Sequence, residues 1–385
     1  MGEPQLTILC SGVALGVYIP ALLLESHLRR LGMRTDVALL EDLYHPDARA
    51  SLERLRETFH DRFDLARMAQ RMTRTIQPQL APERAEALLR AWDRDGRRAF
   101  VVWSGFWMPL LETYRALRAP QPVHIDICRI DAAVSPSFAG YPTLSPDDRE
   151  IWFWNGQAGR LEYELPVTSE APIPYANRED RYVVHGGGWG LGEYRDAAEA
   201  LRARGARLDR VIYRLDEAGP GETCRDFMVQ PGWRPWLRPA GTRLEFPPFG
   251  EVRADGQGPF RSRETCHELY RNIRRCRAIL SKPGGGTLMD SLASATPVVF
   301  LEPYGQAEQS NADLWIHLGF GVSYGEWARS GHDPEILARL ADRLAGRPRT
   351  TIDYPRDCAE HFRRLWGTVD AASGDRRGGA GHAAV

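Results

Sequence analysis

Residues 281–324 read SKPGGGTLMDSLASATPVVFLEPYGQAEQSNADLWIHLGFGVSY, and this stretch decides the fold. The apolar run Ala278-Ile279-Leu280 leads into three consecutive glycines at 284–286. Glycine takes backbone conformations closed to other residues and lets the main chain approach a ligand with no Cβ between them. Thr287 is expected to open a helix, whose free N–H groups and positive dipole end suit an anion. Asp290 follows one turn later, where its carboxylate can accept hydrogen bonds from sugar hydroxyls; a solvated acid on the helix surface is the plainer role. Pro297-Val298-Val299-Phe300-Leu301 is apolar and β-branched, as a buried parallel strand is. Strand, glycine turn, helix, strand, loop and helix make a unit suited to a phosphorylated and hydroxylated ligand such as a nucleotide sugar.

A second glycine turn stands upstream. His185-Gly-Gly-Gly-Trp-Gly190 follows a strand expected at 181–185 and precedes a helix expected near 194–204. Gly187, Gly188 and Trp189 of this turn, with Gly285, Gly286 and Thr287 of the other, can place two sets of backbone donors around one diphosphate. Either turn alone is also the ordinary βα connection of many folds. The first lacks GxGxxG spacing and an acid after the second strand, which weighs against NAD; it also lacks the GK[ST] ending of a P-loop, which disfavours ATP hydrolysis.

The order Gly-Gly-Gly-Thr, Asp290, Thr296-Pro297, Glu308-Gln309, Asn311-Ala312 and Gly319-Phe320-Gly321 is similar to the donor-binding half of GT-B glycosyltransferases. The cell-wall N-acetylglucosaminyl transferase and the antibiotic and plant UDP-glycosyltransferases are the nearest in pattern. The resemblance is sharp over this one segment and diffuse elsewhere. It implies an α/β fold of two Rossmann-like domains facing across a cleft, and a UDP- or dTDP-linked sugar as donor. It also implies that Asp290 binds both ribose hydroxyls. The family's sugar-contacting Gln stands three residues before the Asn of Asn-Ala. Here Glu308 holds that place and Gln309 comes one residue late, so Gln306, Glu308 and Gln309 are all candidates; helix capping is the alternative role of the last two.

A chain of 385 residues suits two domains. A formal charge of −1 supplies no electrostatic ground for nucleic acid or an acidic membrane. Lys282 is the sole lysine among arginines, beside the glycine turn, where an ammonium works as a point charge on phosphate; a chance survivor on a loop is the plainer reading. The six cysteines show no CxxC pair or metal-ligand spacing, which fits reduced thiols in the cytoplasm. No basic n-region precedes the N-terminal apolar stretch, so no signal peptide is expected. No apolar run reaches the roughly twenty residues of a membrane span. The sequence carries no signal for an oligomeric state.

Along the chain, strands are expected at 6–10, 35–40, 99–103 and 123–130, alternating with helices, as in a parallel sheet covered on both faces. Pro20 is expected to start a helix through Leu31, and helical pattern runs from 47 to 94, broken at Pro78. Residues 151–165, with the Asn155-Gly156 turn signal, read as a β-hairpin addition. An N-terminal acceptor-binding domain is expected over 1–175, with APIPYANRED at 171–180 as linker, and a nucleotide-sugar domain over 181–350. Within the latter, 208–213 and 243–246 read as strands, 217–239 as irregular, and 264–275 and 334–344 as helices. A helix within 351–369 is expected to cross back to the first domain, and 370–385 to be disordered.

The catalytic base is where the family pattern fails. An inverting transfer needs a group to take the acceptor proton. The resemblance puts a His or Asp three residues before a Pro in the first loop, where Val17 stands, and an orienting Asp where VVWSGFW has Ser104. The replacements at expected carboxyl ends of strands are Glu41, Asp42, His45 and above all Asp131, each with a structural alternative. Trp103, Phe106, Trp107, Trp152 and Trp154 form either an apolar acceptor pocket or core, and strand alternation would send Trp152 and Trp154 to one face. The expectation is therefore a metal-independent hexosyltransferase of specialised metabolism, without cofactor, acting on a small acceptor. Its alternatives are a nucleotide-sugar epimerase and a non-catalytic nucleotide-sugar-binding subunit.

Overall fold

In the computed structural model, which describes residues 5–72, 77–141, 145–219, 223–239, 241–253 and 258–374, the first strand is β1 (Leu6–Cys10). All five of its side chains are buried because they point alternately into two helical layers. Leu6, Ile8 and Cys10 face helix α1 (Leu15–Arg30); Leu9 faces the layer that contains α2 (Pro46–Asp61), α4 (Pro82–Arg94) and α5 (Met108–Arg118). Between α2 and α4 lies α3 (Phe63–Met72). Strands β2 (Thr35–Leu39), β3 (Ala99–Val102), β4 (His124–Arg129) and β5 (Asp148–Trp152) complete a parallel sheet ordered β2-β1-β3-β4-β5. A small antiparallel hairpin, β6 (Trp154–Asn155) and β7 (Arg160–Leu161), follows, and then β8 (Tyr163–Glu164).

The second sheet contains β9 (Glu179–His185), β10 (Leu208–Val211), β11 (Cys224–Val229), β12 (Phe249–Glu251), β13 (Cys276–Ser281), β14 (Val298–Phe300) and β15 (Gly321–Ser323). Its order is β12-β11-β10-β9-β13-β14-β15, parallel except for the β12 edge. Strand order reverses between β9 and β13, which makes their carboxyl ends a topological switch point, the usual ligand crevice of such sheets. Helices α7 (Leu269–Arg275) and α8 (Gly285–Ser294) cover one face; α6 (Tyr194–Ala203) and α11 (Pro334–Ala345) cover the other. Helices α9 (Gln306–Leu318) and α10 (Tyr324–Arg329) flank β15. Strand β16 (Ile352–Asp353) pairs with β8, and α12 (Tyr354–Gly374) then buries Tyr354, Cys358 and Phe362 beside α1.

Several sequence expectations need correction. Helix α1 starts at Leu15, so Pro20 sits inside it; its missing N–H removes one bond to Gly16. The 217–239 stretch, expected to be irregular, contains β11. Its charges are paired sideways with the next strand, Arg225 to Asp209 at 2.8 and 2.7 Å and Asp226 to Arg210 at 2.8 and 2.9 Å. Residues 243–246 form no strand. They lie along α1, with Arg243 paired to Glu25 at 3.0 Å and the Glu245 carbonyl accepting from the Tyr18 hydroxyl at 2.8 Å. The helix expected over 264–275 is only α7. Helix α12 continues to Gly374, and 375–385, where the tail was expected, lie outside the described residues.

Candidate functional site

Where β9 and β13 end, His185 lies opposite Ser281, and the chain turns from Ser281 into α8. That helix opens at Gly285, two residues before Thr287, because Gly284 is already the extended N-cap. Its first-turn N–H groups and dipole end make the switch point favourable to an anion. Lys282 is 8% exposed, donates to Glu308 at 2.9 Å and lies 5.6 Å from the Tyr304 ring centre. The other Glu308 oxygen accepts the Tyr304 N–H at 2.6 Å. Asp290, on the buried face of α8, accepts from His267 Nε2 at 2.9 Å.

Asp131 reaches this edge from the other half of the chain. Asn311, fully buried on α9, donates to Asp131 and to the Pro283 carbonyl, each at 2.8 Å, and accepts the Ala132 N–H at 2.7 Å. Burial pushes the Asp131 carboxyl up to about 6, reinforced by the Glu308 charge and opposed by Asn311, Lys282 and the Gly285 N–H. A carboxyl raised in this way holds its proton more readily than an ordinary Asp.

The other base candidates lie elsewhere. Glu41 is fully buried and pins the loop after β1, accepting from Ser11 Oγ at 2.5 Å, Gly12 N at 2.8 Å and Val13 N at 3.2 Å. With its oxygens held by these three donors, Glu41 positions that loop. His45 immediately precedes α2, its backbone N–H bonded to the Gln79 carbonyl at 3.0 Å. Gln309 is exposed and donates along α9 to Asp313 at 2.8 Å.

The glycines are needed for a reason the sequence reading did not foresee. A Cβ at Gly285 would overlap the Ile130 carbonyl, and one at Gly188 would lie 2.8 Å from Leu15 Cγ. Each thus admits the first half of the chain. Gly186 instead sits tightly against Gly190 and Leu191, while Gly187 has φ +72° and open space around it. Gly286 faces Gly16 at ordinary contact distance. Trp189 donates Nε1 to the Val13 carbonyl, joining the two halves. Of the aromatic cluster, Trp103, Trp107 and Trp154 are core, at 1% exposure or less. The strand breaks at Phe153, so Trp154 turns inward onto Trp315 while Trp152 stays partly exposed beside Arg129.

Sequence reasoning missed His267, Tyr304 and the bridging role of Asn311. Only Asn311 carried a signal, as part of the Asn-Ala motif; the partners of all three come from distant segments. A cavity of about 510 Å³ borders the site, walled by Phe63 and Arg67 of α3 and by Gly192, Arg195, Asp196 and Glu302 of the second half.

Neither a protein-family model nor a curated protein sequence matches the chain. Solved structures do match in shape. MurG of Acinetobacter baumannii superposes with a TM-score of 0.51 at 12% identity, over 94% of this chain and 99% of its own. The glycosyltransferase SsfS6 of Streptomyces sp. SF2575, complexed with thymidine diphosphate, gives 0.53 at 14% identity, over 94% and 100%. The calicheamicin glycosyltransferase CalG4 gives 0.50 at 13%, over 96% and 100%. These relationships are ones of fold, and the chain has the GT-B glycosyltransferase fold. It consists of two Rossmann-like sheets facing each other, with the small hairpin added to the first.

Proposed function

We propose that the chain is a glycosyltransferase that moves a hexose, with inversion, from a UDP- or dTDP-linked donor to a small soluble acceptor in specialised metabolism. The observation that carries this reading is the convergence on one sheet edge of Lys282, the α8 N-terminus and the His267–Asp290 pair, with Asp131 arriving from the opposite half. Asp290 would hold the ribose hydroxyls, and Lys282 would exchange Glu308 for the diphosphate. N–H groups of the turn at 186–188 and of α8 would share its leaving charge. Glu308, freed from Lys282, would face the sugar. Asp131 would take the acceptor proton as the acceptor oxygen attacks the anomeric carbon and the nucleoside diphosphate departs.

The same proposal is metal-independent, because protein donors meet the phosphate charge. A cytoplasmic setting belongs to it as well, supported by the six free thiols. Among the described residues, no helix is long and apolar enough to cross a membrane. Calorimetry against UDP, dTDP, GDP and ADP in EDTA is the direct test. Binding of one pyrimidine diphosphate is expected; binding of none, or only when Mg²⁺ is restored, removes the reading. A non-catalytic nucleotide-sugar-binding subunit is the second reading, favoured by Val17 and Ser104 at the family's base positions. It would bind donor and never release nucleotide. An epimerase would instead change the donor sugar with no acceptor present.

A further inference from the structure

His185 takes no part in the transfer proposed above, and its environment is unusual. It ends β9 at the switch point, is only 5% exposed, and faces the same side of the sheet as Ser281, under α7 and α8. Its Nδ1 accepts the Gly187 N–H at 3.2 Å and lies 3.3 Å from Ser281 Oγ. A ring nitrogen that accepts a backbone N–H carries no proton, so the proton of the neutral imidazole is on Nε2. That Nε2–H is buried and has no partner among the described residues. Buried N–H groups without an acceptor are rare in folded proteins and call for a specific explanation.

The surroundings indicate which acceptor fits. Burial, then the Lys282 ammonium, then His267, hold His185 far below the usual histidine range, at about 3. The ring is therefore a neutral donor at every working pH. The strongest neighbouring charge is the cation already assigned to phosphate, so an anionic oxygen is favoured at this point over a neutral one. The ribose side of the site is served separately by His267 and Asp290, bonded to each other at 2.9 Å.

We propose that His185 is a binding residue for the nucleotide's phosphates: Nδ1 holds the glycine turn at Gly187 while Nε2–H donates to a phosphate oxygen. The inference rests on the donor-site reading above and adds the side chain of His185 to the backbone donors of the two glycine turns. Through one ring the turn and the ligand are coupled, so the turn is held in its binding shape before the ligand arrives.

Asparagine and glutamine separate the two nitrogens. In His185→Asn the side-chain oxygen can replace Nδ1 toward Gly187, but nothing reaches the Nε2 position. His185→Gln places an N–H at that reach. UDP and dTDP affinity should fall about ten- to hundredfold in the Asn variant, the range for a hydrogen bond to a charged group, and recover most of the way in the Gln variant. Uridine and thymidine affinities should change less than about twofold. On the wild-type chain, ¹⁵N-histidine spectra should show the Nε2–H tautomer, and its proton resonance should shift when UDP or dTDP is added. Equal nucleotide binding by wild type and the Asn variant, or an unmoved Nε2–H resonance, would assign the proton to an internal water and overturn the proposal alone. Failure of the wild type to bind either nucleotide would take down the donor-site reading with it.

Discussion

Asp131 is the residue on which the proposed chemistry turns. Its backbone follows a buried strand of the first half, yet its carboxyl is held by Asn311 of the second. A base active only when ionised, with its carboxyl raised to about 6, makes activity rise with pH through about 6 and fall away below it. The kcat/KM profile should therefore bend near pH 6; a bend near 4, the ordinary Asp range, would remove Asp131 from the role. Asp131→Asn should lower kcat by roughly 10²–10⁴-fold. Donor affinity in that variant should stay put, and a variant that turns over normally would remove Asp131 from the role.

At the scale of elements, α8 is the piece on which both halves converge. Its first turn is pressed against the Ile130 carbonyl at Gly285, while Gly286 meets Gly16 of α1 at ordinary contact distance. These two neighbouring glycines should respond differently to alanine. Gly285→Ala must push apart backbone from both halves and should cost about 1–3 kcal/mol, as overpacking does. Gly286→Ala meets only an ordinary contact and should be neutral or stabilising by up to about 1 kcal/mol, the helix preference for alanine. Urea denaturation of the two variants decides this, and equal effects would refute the close approach. A helix expected from Gly-Gly-Gly-Thr alone has no such asymmetry, because Ile130 lies far away along the chain.

Across the whole molecule, the second half closes on α1, α2 and α3 through polar contacts. His60 on α2 is fully buried at its side chain, with Nδ1 bonded to the Gly190 carbonyl at 2.7 Å and Nε2 paired with Glu217. Arg238 reaches Asp42 at 2.6 Å, Arg234 holds Glu53, and Arg67 pairs with Glu302 at the cavity wall. Exposed pairs of this kind contribute about 0–1 kcal/mol each, whereas breaking a buried one leaves its partner stranded. His60→Leu should therefore loosen the closure more than Arg67→Ala. Small-angle scattering should show a larger radius of gyration for the His60 variant and no resolvable change for the Arg67 variant. No expansion in the His60 variant would mean that the α1–α8 core alone holds the halves together.

Periodic apolar runs and glycine turns determined by themselves that there are two βα sheets, and the ordered motif from Gly284 to Gly321 pointed to the GT-B architecture. Those signals are local, since strand burial and turn geometry act within a few residues. What they could not supply was pairing between distant segments. Strand β11 was hidden because its Arg and Asp look like loop residues until β10 lies alongside to neutralise them. Glu41 and Asp131 are both candidate bases in the sequence, with Asp131 preferred for its place after a buried strand and before a small-residue turn. Tertiary structure alone turned one onto the loop at Ser11–Val13 and the other onto the end of α8, because a carboxylate's role is set by the donors around it, and here those donors come from remote parts of the chain.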